Sequence, residues 1–331
     1  MKKRALLLIL LMIAAGTAGA FLISAMNRGN KRETGNGDLK LNFVTSFYPT
    51  YIMALNLTDQ IPELKVNSLT DFTVGCLHDY QLTTGDMKLL ADADLFLMNG
   101  GGMESYIEDV AKNYPELVMV NISEGIDMLD NHGHEHNHNH EEEDGHDHEL
   151  NSHVWLDPVR YMEQAAQMKN GLILYISQRQ DLPLEYKEEA IRRISDNTEQ
   201  YISKVRELEE DLQALIPMIS TKEDRKVIIF HEAFAYLADR VGLTVEKTVE
   251  LEEDTALSAT EIADIIRTIK SEGIKYLFTE EQYGANITDR IVDETSAKAY
   301  LIDSAVTGDG SKDSYLNSMR RNLNTLKEIF Q

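Results

Sequence analysis

The hydrophobic positions of the chain form short runs that alternate with longer amphipathic segments. The first half has a short apolar run, "LNFVTSF" (41–47), followed by helical spacing in "YIMALNLTD" (51–59). Next come a buried strand that ends in glycines, "ADLFLMNGGG" (93–102), a helix from about Met103 and another strand, "LVMVNIS" (117–123). Strands that alternate with helices indicate a parallel sheet with helices on its faces.

The second half of the chain repeats this alternation. Its predicted elements are, in order, strand "KVIIF", helix "EAFAYLADRVG", helix "ATEIADIIRTIKSEG", strand "IKYLFT", a helix, strand "AKAYLI" and the terminal helix "SYLNSMRRNLNTLKEIF". The sequence therefore predicts an α/β fold with two lobes, each built on a parallel sheet.

The longest segment without glycine or proline runs from Leu184 to Ile216 and is rich in helix-forming residues. A helix of this length extends about 50 Å, which suits a connection between two lobes better than a core element. We therefore expect an N-terminal lobe over 41–183, a connecting helix over 184–217 and a C-terminal lobe over 218–331.

The N-terminus has the pattern of an export signal. Three basic residues, "KKR", precede an uncharged apolar run over 5–26, and "AGA" at 18–20 offers a cleavage site. The run is also long enough to span a bilayer uncleaved. We predict a signal peptide or N-terminal membrane anchor over 1–26, a flexible linker over 27–40, and an extracytoplasmic location at the cell surface or in the periplasm.

Charge and cysteine content restrict the chemistry. The formal net charge is -24, so the surface would repel nucleic acid and no nucleic-acid partner is expected. The single cysteine, Cys76, excludes an intrachain disulfide and a zinc site built from cysteines. Imidazole and carboxylate groups are therefore the expected metal ligands.

Three of the ten histidines lie outside a histidine-rich segment. His231 directly follows the strand "KVIIF", His78 lies in a turn-rich stretch, and His153 precedes the helix that Pro158 helps to open. Any one of them alone is typical of an ordinary hydrogen-bonded histidine. Three at loop positions of an exported chain predict a metal site, because ligands gather outside the carboxyl ends of parallel strands. Imidazole suits Zn²⁺, Cu²⁺ and Ni²⁺ better than Mg²⁺ or Ca²⁺.

A carboxylate at another strand end is the expected fourth ligand. Asp303 follows "AKAYLI" and fits this rule, whereas Glu280 and Glu281 follow "IKYLFT" and compete with it. The alternative for Asp303 is a helix N-cap or turn residue. We predict Asp303 as the fourth ligand and Glu280 as its alternative.

The segment 131–149 consists largely of histidine and acidic residues. Because apolar residues are almost absent, it cannot build a core and is predicted to be a mobile loop. Its closely spaced imidazoles and carboxylates are expected to capture zinc weakly and at several stoichiometries; a tolerated insertion without a transport role is the alternative. The histidines of this auxiliary segment are His132, His134, His136, His138, His140, His146 and His148.

Several motifs follow one another in a fixed order from about residue 41 to the C-terminus: "SFYPTY", "HDYQLTTGD", the histidine-rich segment, "HVWLDP", "FHEAFAYLADRVGL", "FTEEQY" and "LIDSAV". This order resembles the zinc-binding receptors of bacterial ABC importers (ZnuA-like and AdcA-like proteins). The resemblance implies two α/β lobes joined by a rigid helix, with one Zn²⁺ in the cleft. It also implies a membrane permease and its ATPase subunit as partners of a monomeric receptor, which would associate with the membrane if the leader is not cleaved.

The resemblance also implies the ligand set. His78, His153 and His231 match the three histidines of the family's motifs, and Asp303 matches the acidic position of the last motif, where family members vary most. Manganese-specific relatives typically have glutamate at the position of His231. Histidine at this position therefore favours zinc.

The chain departs from the family pattern around the first ligand. Cys76 and Leu77 replace the residue and the proline that usually precede His78, and Gln81 and Thr84 stand where glutamate and proline are typical. Cys76 is either an inert buried thiol or a residue with a soft-metal or redox role.

The rival functional class is an exported zinc hydrolase. The segment "HEAFA" begins like the H-E-x-x-H helix of metalloproteases, but Ala235 replaces the second histidine. Three histidines and one aspartate would also complete a tetrahedron, whereas a catalytic zinc keeps a position for water. We therefore predict a receptor and no enzyme. The remaining alternatives are a zinc buffer or chaperone and a manganese-binding receptor of the same family.

Overall fold

The computed structural model describes residues 40–78, 80–130, 150–249, 257–280 and 285–330. The predicted leader, nearly all of the linker and the histidine-rich segment lie outside the described residues. Within the described part, no helix is both long enough and apolar enough to cross a membrane.

The first lobe is built on a four-stranded parallel sheet with the strand order β2-β1-β3-β4. Its strands are β1 (Leu41–Thr45), β2 (Leu64–Ser68), β3 (Leu95–Met98) and β4 (Val118–Asn121). Its first three helices are α1 (Tyr48–Leu57), α2 (Thr84–Ala91) and α3 (Ile107–Asn113). The central strands β1 and β3 are almost entirely buried, as expected for parallel strands covered on both faces.

Helix α3 begins at Ile107, later than the predicted start near Met103. The three glycines at 100–102 all have positive φ angles of 81°, 66° and 90°, which suit a turn and not a helix. The buried carboxylate of Glu104 accepts two backbone N–H groups of this turn at 2.7 and 2.9 Å. The turn is therefore held in place before the helix starts.

Three helices lie between the two sheets in sequence: α4 (Pro158–Gln178), α5 (Leu184–Gln213) and α6 (Ile216–Ser220). Helix α5 has 30 residues, so the long helix between the lobes is confirmed. It ends at Gln213, before the predicted end at 217. The reason is Pro217, which has no N–H for the carbonyl of Gln213 and whose ring would collide with that carbonyl in a continued helix.

The second lobe contains a parallel sheet with the order β6-β5-β7-β8, the same arrangement as in the first lobe. Its strands are β5 (Lys226–Ile229), β6 (Thr244–Thr248), β7 (Tyr276–Thr279) and β8 (Lys298–Leu301). Its helices are α7 (Phe234–Val241), α8 (Ala259–Glu272), α9 (Ala285–Glu294) and α10 (Ser314–Phe330). Strand β6 lies at the sheet edge, and its partly exposed polar residues gave no strand signal in the sequence.

The two lobes share packing along one side. Helix α5 packs against α1 and α4 and also against α7 and α10. The fully buried indole of Trp155 lies edge-on to Phe47, with ring centroids 5.1 Å apart. Its Nε1–H donates to the carbonyl of Ser304 at 2.8 Å. One hydrophobic core therefore contains side chains of both lobes.

Asp157 also connects the two lobes, through ion pairs. Its fully buried carboxylate caps α4 by accepting the N–H of Val159 at 2.9 Å. It also accepts from Arg160 at 2.5 Å and from Arg240 of α7 at 2.9 and 2.5 Å. The buried negative charge is thus compensated by two guanidinium groups.

Candidate metal centre

The three histidines predicted as ligands come together in the structure. His78 lies in the loop between β2 and α2, His153 directly precedes a short 3-10 turn (Val154–Leu156), and His231 follows β5. The Nε2 atoms of His78 and His153 are 3.4 Å apart. The rings of His153 and His231 have centroids 4.9 Å apart. Groups that are far apart in sequence therefore face one another.

The thiol of Cys76 lies between two of these rings. Its Sγ is 3.3 Å from Nε2 of His153 and 3.4 Å from Nε2 of His231. Among the described residues, two groups place three ligand atoms within 4.8 Å of one another: Cys76 with His153 and His231, and His78 with His153 and Glu232. His153 belongs to both groups and is the centre of the cluster.

Exposure differs across the cluster. The side chain of His153 is 0% exposed and that of His231 is 15% exposed, whereas that of His78 is 42% exposed. A cation would therefore enter from the side of His78 and meet His153 at the bottom of the site.

The second nitrogen of His153 is held by the protein. Nδ1 lies 2.9 Å from Oδ1 of Asn151, and the same oxygen accepts the backbone N–H of His153 at 3.0 Å. Asn151 is itself anchored, because its Nδ2 donates to the carbonyl of Glu232 at 2.9 Å. Since an amide oxygen only accepts, Nδ1 carries the proton, and the lone pair of Nε2 points into the cluster.

His231 is oriented by a carboxylate in the same way. Oε1 of Glu280, which is buried at the end of β7, lies 2.5 Å from Nδ1 of His231. Nε2 of His231 then faces Cys76. This carboxylate–histidine arrangement fixes the ring and raises its basicity as a metal ligand.

Sequence reasoning missed Glu232, which lies beside the histidines. Its Oε1 is 3.4 Å from Nε2 of His78 and 3.2 Å from Nδ1 of His153. Its Oε2 is buried and has no hydrogen-bond partner among the described residues. Its position directly after His231 was the available signal. Asn151 was missed as well. It lies two residues before His153, and no sequence pattern distinguishes it as the partner of that imidazole.

The structure does not place Asp303 in either described group of ligand atoms. Its Oδ2 accepts from Arg321 at 2.5 and 3.2 Å, and its Oδ1 accepts the N–H of Ala305 at 2.8 Å. Both carboxylate oxygens therefore have partners outside the histidine cluster. The alternative, Glu280, contacts His231 through the ring nitrogen that faces away from Cys76.

Electrostatic conditions differ between the imidazoles. Burial lowers the pKa of His153 well below its ordinary value, and the neighbouring His231 and His78 lower it further. Burial also lowers the pKa of His231, but its contacts with Cys76 and Glu280 outweigh this and raise it well above the ordinary value. Burial raises the pKa of the Cys76 thiol. These shifts favour the neutral form of the His153 imidazole and the protonated form of the His231 imidazole.

Glu281 and the auxiliary histidines of 131–149 lie outside the described residues. Two parallel-sheet lobes with a long helix between them, and imidazoles from both lobes turned toward one another, define a two-lobed metal-binding protein.

Over residues 43–329, the chain matches the family model described as the periplasmic component A of the zinc-uptake complex, ZnuA. It is 31% identical to the high-affinity zinc uptake system protein ZnuA of Bacillus subtilis (strain 168), over 94% of this chain and 95% of that protein. It is 27% identical to the zinc-binding lipoprotein AdcA of Streptococcus pneumoniae (strain ATCC BAA-255 / R6), over 99% of this chain and 61% of that protein. The chain belongs to the ZnuA family.

Solved structures show the same fold. The Zn(II)-bound ZnuA-like domain of Streptococcus pneumoniae AdcA has a TM-score of 0.67 and 22% identity, and the likeness covers 88% of this chain and 99% of that one. The Mn²⁺ complex of FpvC from Pseudomonas aeruginosa has a TM-score of 0.72 and 21% identity, with 88% and 99% coverage. At such identities the likeness concerns the fold.

Proposed function

We propose that the chain is the extracytoplasmic receptor of a zinc importer. It captures Zn²⁺ between its lobes and delivers the ion to an ABC permease, whose ATPase subunit drives import. The observation that carries this proposal is the convergence of His78 and His153 with His231 from the second lobe. Membership of the ZnuA family and the zinc-uptake role named for the Bacillus subtilis relative support it.

The zinc ligands in this proposal are His78, His153 and His231. Imidazole is a preferred zinc ligand, and the outer hydrogen bonds already orient the second and third rings. The predicted carboxylate ligand must leave a present partner to reach the ion. Asp303 would leave Arg321, and Glu280 would leave Nδ1 of His231.

Ligands from two lobes couple zinc binding to the relative position of the lobes. An ion bound by residues of both lobes stabilises the arrangement in which these residues meet, so loaded and empty forms differ in their populations. The permease would then distinguish the loaded form by the relative position of the lobes.

The proposal includes no catalysis. The H-E-x-x-H pattern is interrupted at Ala235, which lies in α7 behind His231. The segment thus supplies one imidazole, from the turn before α7, and no second one.

Two further predictions belong to this proposal. The segment 131–149 would collect zinc weakly beside the tight site, and the apolar run within 1–26 would export the chain or anchor it to the membrane. Export places the receptor on the side of the membrane from which zinc is taken up.

Competition titration against a zinc-binding dye tests the tight site. His78→Ala, His153→Ala and His231→Ala should each lower the zinc affinity by more than about 100-fold, because loss of an outer-shell partner already costs about 10–100-fold. The matched control is His148→Ala in the histidine-rich segment, which should keep the tight affinity.

The same titration should be repeated in a chain that lacks 131–149. One tight zinc ion per chain should remain, while the weak additional binding disappears. Wild-type affinity in all three cluster variants of the shortened chain would show that the tight site lies elsewhere. Import itself is measured as zinc accumulation in zinc-limited cells that express the wild-type chain or His153→Ala.

A further inference from the structure

Cys76 stands where the family motif usually has another residue, yet its thiol lies among the imidazoles. We propose that Cys76 is a direct ligand of the bound cation and makes the site selective for thiophilic ions such as Zn²⁺ and Cd²⁺ over Mn²⁺. This inference rests on the proposed function, because it concerns the same ion and the same histidines.

The distances around the thiol suit a tetrahedral ion that Cys76 would share with His153 and His231. With Zn–N of about 2.0–2.1 Å and Zn–S of about 2.3 Å, two nitrogen ligands are separated by roughly 3.3 Å and a nitrogen and a sulfur by roughly 3.5 Å. Nε2 of His78 and Nε2 of His153 are 3.4 Å apart. Sγ of Cys76 lies 3.3 Å from Nε2 of His153 and 3.4 Å from Nε2 of His231. The two distances from Cys76 thus have the lengths of edges of a tetrahedral site. Cys76, His153 and His231 form one group of ligand atoms within 4.8 Å of one another, whereas His78 belongs to the other group, which shares His153.

The outer hydrogen bonds direct two imidazoles toward the thiol. Asn151 holds Nδ1 of His153 at 2.9 Å and Glu280 holds Nδ1 of His231 at 2.5 Å. In both rings, Nε2 is therefore the nitrogen that faces the ion, and Cys76 lies on the Nε2 side of both. Glu280 lies on the opposite edge of its ring. Asp303 would have to leave Arg321 and Glu280 would have to leave Nδ1 of His231, whereas Cys76 already contacts Nε2 of both rings.

Glu232 provides a separate indication that a cation completes this cluster. The residue is 9% exposed, and its Oε1 is 3.4 Å from Nε2 of His78. Its Oε2 is buried without a hydrogen-bond partner among the described residues. A buried carboxylate with an unsatisfied oxygen is costly unless a positive charge lies nearby. Because Oε1 is on the Nδ1 side of His153, we assign Glu232 to charge compensation and the ligand position to Cys76.

Binding by Cys76 exchanges one bond for another. The S–H bond breaks, the proton passes to solvent, and the sulfur lone pair forms the bond to the ion with no change of oxidation state. Thiolate ligands prefer zinc and softer ions, whereas manganese prefers oxygen ligands. The substitution of a cysteine before the first histidine would therefore sharpen the discrimination against Mn²⁺.

Cobalt spectroscopy of the full chain tests the proposal directly. Since Cys76 is the single cysteine, a thiolate-to-cobalt charge-transfer band of the Co²⁺-loaded chain reports on this residue, and the histidine-rich segment cannot produce it. We expect the band in the wild-type chain and its loss in Cys76→Ser. Cys76→Ser should also lower the affinity for Zn²⁺ by about tenfold and that for Cd²⁺ by more, with little change for Mn²⁺.

Two parallel variants separate the possible outcomes. His153→Ala should lose tight zinc binding; if it does not, the proposed function itself fails. If His153→Ala loses binding while the Co²⁺-loaded wild type has no charge-transfer band and Cys76→Ser binds every ion normally, only the role of Cys76 is overturned. A loss of affinity in Glu232→Gln with normal binding by Cys76→Ser would assign the fourth position to the carboxylate. Circular dichroism confirms that each variant is folded.

Discussion

Glu280 is expected to control zinc affinity through His231 without touching the ion. Its carboxylate is 5% exposed and holds Nδ1 of His231 at 2.5 Å. In Glu280→Ala, the ring loses both its fixed orientation and the partner that selects its tautomer. Removal of such a partner costs about 10–100-fold in metal affinity, or roughly 1.4–2.7 kcal/mol. Because little water can replace a buried carboxylate, we expect a value near the upper end.

Glu280→Gln refines this prediction, because its amide oxygen can still accept from Nδ1. Its loss should be smaller, about tenfold or less. Glu272→Gln is the matched control, since this exposed glutamate pairs with Lys226 on the same lobe, and its affinity should equal that of the wild type.

Competition titration at fixed pH gives the dissociation constants of all three variants. A loss below about threefold in Glu280→Ala would refute the orienting role, which predicts at least about tenfold. Equal losses well above about 100-fold in Glu280→Ala and Glu280→Gln would identify Glu280 as a direct ligand.

Three further predictions concern stability, protons and the acidic motif. Asp157→Ala should lower the free energy of unfolding by about 3–5 kcal/mol, because it leaves two guanidinium groups without their buried partner. Urea denaturation measures this free energy, which should stay the same in the control variant Glu189→Ala at an exposed position. The pKa of His231 is raised well above its ordinary value in the metal-free chain. Zinc binding should therefore release the proton of His231, and the zinc affinity should weaken as the pH falls. Calorimetry in buffers of different ionisation enthalpy measures the number of protons released. Asp303→Asn should change the zinc affinity by less than about threefold, because Asp303 pairs with Arg321; a loss above about 100-fold would show that Asp303 moves to the ion.

The fold could be predicted from the sequence because its strands are buried and its connections are regular. Runs such as 41–47 and 226–230 are hydrophobic without interruption, as expected for central parallel strands, and helical spacing follows each of them. The polar edge strand β6 has no such pattern, since one side of it has no partner strand. The end of α5 was misplaced because the effect of Pro217 extends back to the carbonyl four residues earlier.

The convergence of the three histidines could be predicted for a related reason. A strand that ends before His231 places this residue at the edge of the sheet where ligands bind, whatever the rest of the lobe contains. Asp303 and Glu280 also follow strands and are predicted as ligands for the same reason. A position directly after a strand places a side chain at this edge of the sheet, but it does not determine which group the side chain binds there.

The difference between Asp303 and Cys76 shows what such positional reasoning lacks. Arg321 lies 18 residues beyond Asp303 on α10, and no periodic pattern marks it as the group that binds this carboxylate. Cys76 lies two residues before His78 in the same turn-rich stretch, and this loop brings its sulfur to the imidazoles of His153 and His231. A charged group at a sheet edge takes the nearest opposite charge, whereas a thiol has weaker hydrogen-bonding alternatives. Cys76 is less suited than Asp303 to bind a cation by charge alone. Its thiol is nevertheless the group that the surrounding side chains leave facing the histidines.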